Sequence, residues 1–212
     1  QALEEHVPTP KRDPSKPPRM HVVRSFDVNK PGTPADELAG GVIGGTILQG
    51  AFRVGNEIEI RPGIRFEKQG RAVYEPLFTE VVSLQAGGRA VQEAQPGGLV
   101  GVGTLLDPSL TKADALTGNL AGKPEMLPPT LSELTLETHL FERAVGTKEL
   151  MEVEKVHTGE SLLLDVGTSI TTGSVASIKE ETATLKLSRP VSAEKGARAA
   201  MSRKIAGRWR LI

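Results

Sequence analysis

The chain has 212 residues, with 26 basic and 26 acidic side chains, so it is not a polycation that grips nucleic acid through bulk charge. It has no cysteine, which excludes disulfides, thiolate metal sites and a cysteine nucleophile and fits a reducing, cytoplasmic setting; no apolar run reaches the length of a membrane span. Aromatics are only 3% of the residues while glycine and proline number 23 and 15, which points to an aliphatic core built from short strands and turns.

Residues 1–7 read as the end of a helix, and 8–18, with five prolines and Lys11, Arg12 and Lys16, as an extended linker. From residue 20 the pattern becomes strand-like. Strands are expected over 20–27, 42–48 and 52–61, with turns at Pro31-Gly32, at Gly50, across 54–57 and at Pro62-Gly63. Residues 64–76 follow as a loop. The segment 77–84 sets Phe78, Val81 and Leu84 against Thr79, Glu80 and Ser83, and 97–106 is a second Gly-rich strand entered through Pro96-Gly97-Gly98. One helical turn is expected within 111–116. A stretch without clear period, 118–132, then divides the chain between Lys123-Pro124 and Pro128-Pro129. A new series of strands is expected over 134–142, 150–153, 160–166, 169–178, 182–187 and 198–212. The fold class read from this order is all-β, with two tandem β-barrels: residues 1–19 as an upstream end and linker, 20–123 as the first barrel and 124–212 as the second.

Residues 24–50 carry the most information. Bulky side chains are nearly absent between Gly40 and Thr46, which leaves room either for another molecule to approach the backbone or for tight bends within the strand. Conventional reaction chemistry is missing. His6, His21, His139 and His157 stand in no metal-ligand spacing, and no nucleophile lies in an elbow motif, so no catalytic or metal-binding residue is assigned. The glycines at 40, 41, 44 and 45 are not followed by Lys-Ser/Thr, and Asn29-Lys30 is followed by Gly32 where guanine recognition needs an acid, so no complete nucleoside triphosphate site is read. Residues 195–212 hold six basic side chains (Lys195, Arg198, Arg203, Lys204, Arg208, Arg210), no acid, and the single Trp209. They read as a barrel strand with one charged face and Trp209 in the core, or as a strip that contacts phosphates.

Five segments in this order, 24–32 (Arg-Ser-Phe-Asp-Val-Asn-Lys-Pro-Gly), 40–46, 96–104, 106–114 (Leu-Asp-Pro-Ser-Leu-Thr-Lys-Ala-Asp) and 205–212, resemble the gamma subunit of archaeal and eukaryotic translation initiation factor 2. The resemblance implies two barrels like the second and third domains of elongation factor Tu. It also implies an upstream GTP-binding domain that would hold GTP and magnesium, which leaves no cofactor for this chain and makes the parent, not this piece, the GTP hydrolase. It implies delivery of methionylated initiator tRNA to the small ribosomal subunit, with the terminal adenosine and its ester against Phe26, Val28, Lys30, Gly40, Gly41 and Val42, and more weakly Gly97 and Gly98. Phe26 and Val28 would supply an apolar surface, the glycines close backbone and Lys30 a charge for phosphate; the competing reading makes Phe26 a core residue. Arg203, Lys204, Arg208 and Arg210 are further candidate RNA contacts. An alpha subunit is expected on the second domain, with Arg65, Lys68 and Arg71 as its candidate contacts, and a beta subunit on the missing domain. An aminoacyl-tRNA-binding module of another translational GTPase, such as the selenocysteine-specific elongation factor, is the alternative; Asn-Lys-Pro-Gly and Asp-Pro-Ser-Leu-Thr-Lys weigh against it. A hydrolase of unfamiliar type is opposed by the lack of any His-acid-nucleophile grouping.

Overall fold

Short apolar runs broken by glycine and proline form strands almost throughout. The computed structural model describes residues 2–7, 13–146 and 151–212. Residues 8–12 of the expected linker, residues 147–150 ahead of Met151, and the side chain of Arg71 lie outside the described part. A short helix covers Ala2–His6. The strands of the first half are β1 (Arg19–Phe26), β2 (Val42–Gln49), β3 (Phe52–Arg53), β4 (Glu57–Lys68), β5 (Arg71–Ala86), β6 (Arg89–Val91), β7 (Glu93–Ala94), β8 (Val100–Thr104) and β9 (Leu120–Gly122). Those of the second half are β10 (Thr130–Glu137), β11 (Ser161–Val166), β12 (Ser169–Lys179), β13 (Thr182–Ser192), β14 (Ala199–Ile205) and β15 (Arg208–Leu211).

The chain packs as two compact units: Gln1–Ile60 with Leu77–Leu116 and Leu120–Leu127, and Arg61–Pro76 with Thr117–Asn119 and Pro128–Ile212. One sheet, of order β4-β9-β1-β2-β8-β5, closes on itself through β4–β5 pairing, with β6 appended to β5 and a separate small β3–β7 pair; the part of its β4–β5 hairpin at 61–76 groups with the second unit and the rest of the sheet mainly with the first. A closed ladder leaves no edge to protect. Its interior is aliphatic: Met20, Val22, Ile43, Ile47, Ile58, Ile60, Val81, Val102 and Leu116 are at most 1% exposed. The second unit carries the antiparallel order β10-β13-β12-β11-β14-β15 around Leu134, Leu162, Leu164, Val175, Leu185 and Val191. Alternation along β11 sends Leu162, Leu164 and Val166 inward and leaves Asp165 between them, half-buried.

Several expectations change. Pro62-Gly63 is not a turn, and 64–76 is not a loop: both fall within the long β4–β5 hairpin, whose turn is at Gln69 and Gly70. Proline has no amide to give the ladder, and the Gly63 amide donates to the buried Asn119 Oδ1 at 2.7 Å, so the strand passes through a typical turn dipeptide by borrowing a side-chain acceptor. The last expected strand is two, β14 and β15, because Ala206 and Gly207 both take positive φ (48° and 79°) and form a tight hairpin turn. Around residues 150–153 the described part shows only an isolated bridge, Arg143 to Glu152.

Candidate nucleic-acid interface

The expected tRNA residues lie at one end of the first barrel, with two exceptions. Phe26 pairs in register with Val42, Val42 with Gly103, and Gly103 with Ser83, so one row crosses β1, β2, β8 and β5. At about 4.8 Å per strand the row spans roughly 15 Å. Val82 sits in the bulge between Val81 and Ser83 and reaches the same face, its Cγ2 lying 3.6 Å from where a Cβ on Gly103 would be. Phe26 is 41% exposed, Val28 51% and Val82 42%. Phe26 is therefore not a core residue; Val42 beside it is half-buried and Gly103 buried, so the apolar surface open to solvent here is made by Phe26, Val28 and Val82.

The loop from Asp27 to Gly41 is tied at its base. Asn29 Nδ2 donates to the Ala39 carbonyl and Asn29 Oδ1 accepts from the Ala39 amide, both at 2.8 Å. Between these anchors the amide and hydroxyl of Thr33 both donate to the Lys30 carbonyl, closing a turn at Pro31-Gly32 and leaving Lys30 exposed. Asn29, weighed in sequence for guanine recognition, thus acts as a loop clasp.

Gly40 and Gly41 are satisfied within the fold. A Cβ on Gly40 would overlap the Thr104 carbonyl, and one on Gly41 would overlap the Thr111 side chain. The Gly41 amide donates to the Leu106 carbonyl at 2.8 Å, and its own carbonyl accepts both the amide (3.0 Å) and the hydroxyl (2.7 Å) of Thr104. Of the two readings of these glycines, the structure shows close internal backbone approach. The bare backbone on the outer face is Gly44, opposite Gly101, where the nearest atoms to an added methyl group would be 3.8 Å or more away. The glycines from 40 to 45 continue into β2 rather than opening a helix, so they form no phosphate-binding loop. Gly97 and Gly98 precede Val100, which pairs with Gly45, so they sit at the end of β8 away from Val42, roughly 10 Å of strand apart. They do not join the cluster.

The segment 107–116 fastens this end of the barrel. Asp107 accepts the Ser109 amide at 2.8 Å and caps a helical turn, Pro108–Thr111. Thr111, fully buried, donates through Oγ1 to the Phe26 carbonyl at 3.1 Å. The Leu116 amide donates to Ser25 Oγ at 3.0 Å. Asp114 Oδ1 accepts the Ser25 amide and Arg24 Nε, each at 2.9 Å. These two donors, the Ser25 amide foremost, hold the Asp114 carboxyl below the usual range. Sequence reading missed Thr111, Asp114, Val82 and Gly103, because only register and bulges bring them to this face.

The basic residues of the second unit meet different surroundings. Arg203, only 17% exposed, pairs through Nε and Nη2 with Glu160 and donates through Nη1 to the Glu154 carbonyl and Nη2 to the Lys155 carbonyl. It is a structural clamp, so it is removed from the candidate RNA contacts. Arg210 is half-buried, its guanidinium 2.8 Å from the place of a Cβ on Gly146. Lys204 and Arg208 are exposed on the β14–β15 hairpin, and Trp209, opposite Lys204, is 38% exposed rather than in the core. Arg65 and Lys68 are exposed near the turn of the β4–β5 hairpin, and the side chain of Arg71 is outside the described part. Among the described residues no three His, Cys, Asp or Glu gather as a metal site, and no helix is long and apolar enough to cross a membrane.

Residues 132–212 match a family model described as initiation factor eIF2 gamma, C terminal. The chain is 62% identical over 211 residues to translation initiation factor 2 subunit gamma of Thermococcus kodakarensis, covering all of this chain and 52% of that protein. It is 59% identical to the Pyrococcus furiosus protein of the same name over 51% of that protein, and 57% identical to that of Archaeoglobus fulgidus over 49%. A crystal structure of a bacterial selenocysteine-specific elongation factor superposes on 92% of this chain and 27% of its own with a TM-score of 0.64 at 18% identity, which is a likeness of fold. The chain spans about half the length of the relatives it matches, and its similarity to gamma subunits of translation initiation factor 2 runs over its whole length.

Proposed function

We propose that this chain serves translation initiation by binding the methionylated end of initiator tRNA on the outer face of its first barrel. The observation that carries the reading is the exposed apolar side chains of Phe26, Val28 and Val82 around half-buried Val42, with the Phe26 ring edge 3.9 Å from where a Cβ on Gly44 would stand. An unpaired terminal base needs an apolar or aromatic face with open backbone beside it, and Phe26 with the bare backbone at Gly44 offers one. Lys30, exposed on the clasped loop, supplies positive charge for the adjoining phosphates. The exposed cations Lys204 and Arg208 with Trp209 form a second surface suited to RNA, and the β4–β5 hairpin tip with Arg65 and Lys68 one suited to the alpha subunit. The beta subunit and the small ribosomal subunit are partners of the whole factor in this reading.

The test uses the intact gamma subunit in its GTP-bound state and equilibrium binding of methionylated initiator tRNA. Stacking of one base is worth about 1–3 kcal/mol. Phe26→Ala should therefore weaken binding by about tenfold, with the fold retained by circular dichroism. Unchanged affinity in a folded Phe26→Ala variant overturns the assignment.

A further inference from the structure

Beyond the Phe26 face itself, we propose that Arg24 is a phosphate ligand of the nucleic acid that meets this face, and that Asp114 is the positioning residue that aims it. The inference rests on the reading that the face takes the end of a tRNA. Arg24 lies two residues before Phe26 on β1 and pairs in register with Gly44, while Phe26 pairs with Val42. A Cβ on Gly44 would be 3.8 Å from the Arg24 Cβ and 3.9 Å from the Phe26 ring, so the stem of one and the ring of the other converge over the same bare stretch of backbone. The Arg24 side chain is 68% exposed.

Exposed arginines ordinarily sample many rotamers. Here Arg24 has a partner that favours one orientation: its Nε donates to Asp114 Oδ1 at 2.9 Å, and the Ser25 amide donates to the same oxygen. A guanidinium bound through Nε keeps the four N–H donors of its two η nitrogens, in the planar fork that suits two phosphate oxygens. With the pair exposed at 68% and 40%, water screens the carboxylate and leaves most of the Arg24 side chain accessible. Phe26 thus offers a surface to a base while Arg24, one step along the strand, offers a fork to a phosphodiester.

The surroundings explain why Asp114 occupies this place. On β1, the pairing with β9 is confined to Arg19–His21 at the start of the strand. Farther along, Ser25 and Phe26 lose that neighbour, and segment 111–116 replaces it: Thr111 binds the Phe26 carbonyl, Leu116 the Ser25 hydroxyl and Asp114 the Ser25 amide. Asp114 also reaches a further side chain, that of Arg24.

The experiment measures binding of methionylated initiator tRNA to the intact GTP-bound gamma subunit across a salt series. Arg24→Gln should weaken binding five- to tenfold and lower the slope of log Kd against log salt by about 0.7, the loss of one phosphate contact to a single strand. Arg24→Lys, which keeps the cation but not the fork, should weaken binding less and keep the slope. Asp114→Asn retains an acceptor for the Ser25 amide; it should weaken binding about threefold alone and have no further effect in the Arg24→Gln background. A merely structural Asp114 would give additive losses, which overturns its positioning role. Unchanged affinity and slope for Arg24→Gln, with Phe26→Ala still weakening binding, overturns the phosphate contact and leaves the Phe26 reading standing. No effect of either Arg24→Gln or Phe26→Ala overturns both.

Discussion

The Phe26 end of the first barrel and the basic hairpin of the second unit treat their polar groups in opposite ways. At the first, the ionised pair Arg24–Asp114 lies at the surface with 68% and 40% of its side chains in solvent, and the apolar Phe26 and Val82 are exposed beside it. At the second, Arg203 and Glu160 are both 17% exposed, and the arginine also holds two backbone carbonyls. The charge-rich segment has thus turned part of its charge into structure, while the nearly charge-free Gly-rich strand borders the open surface. Counting cations along a sequence therefore overstates the binding surface wherever an acid such as Glu160, distant in the chain, absorbs one of them.

The sharpest way to break this comparison is at Arg203. Removing one member of a largely buried, hydrogen-bonded ion pair leaves the other uncompensated, at a cost of about 3 kcal/mol. Arg203→Ala should lower the stability of the second unit by that amount in urea denaturation, since it also frees the Glu154 and Lys155 carbonyls. Equal stability together with weakened RNA binding would return Arg203 to the interface and erase the contrast. A smaller effect is expected within the glycine strand. Gly40→Ala forces a methyl group onto the Thr104 carbonyl and should cost about 2 kcal/mol. Gly44→Ala has space of 3.8 Å or more and should change stability by less than about 0.5 kcal/mol. Equal stability for the two alanine variants in the same denaturation experiment would mean that Gly40 is not packed as described.

Strand content and the Gly-rich strand were legible from local pattern, since alternation and turn residues act over a few positions, whereas Phe26 came from the resemblance, with a core position left open. Three things were not. Pro62-Gly63 carries a turn signal that Asn119, 56 residues away, overrides by accepting the Gly63 amide. Val82 reaches the outer face only because a bulge interrupts β5, and a bulge leaves no periodic trace in the sequence. Asp114 and Thr111 belong to a segment whose sequence reads as an ordinary capped turn, yet their partners Arg24, Ser25 and Phe26 lie 85 to 90 residues upstream. Gly97 and Gly98, which the resemblance put more weakly with the other glycines, are sent by strand direction to the far end of β8.

The smallest expected effect separates the two units by pH. His21 stands on β1 of the first unit, half-buried between Thr46 on β2 and Leu120 on β9. Burial, and secondarily the charge of Arg19, lowers its pKa from the ordinary value of 6.5. Below pH 6.5 the unfolded chain takes up a proton that the folded barrel resists, so unfolding becomes more favourable as pH falls through that window. The stability that His21 lends is complete above pH 6.5 and is lost as pH drops toward the folded value. Because the ring keeps part of its surface in solvent, the change should be a fraction of a kcal/mol. Thermal melts of the first unit should therefore shift slightly downward between about pH 7 and about pH 5, and His21→Gln should remove that part of the shift. An identical pH dependence in wild type and His21→Gln would show that protonating this ring costs the barrel nothing, and that the acid sensitivity of the first unit lies with its surface carboxylates, among them the Asp114 that holds Arg24.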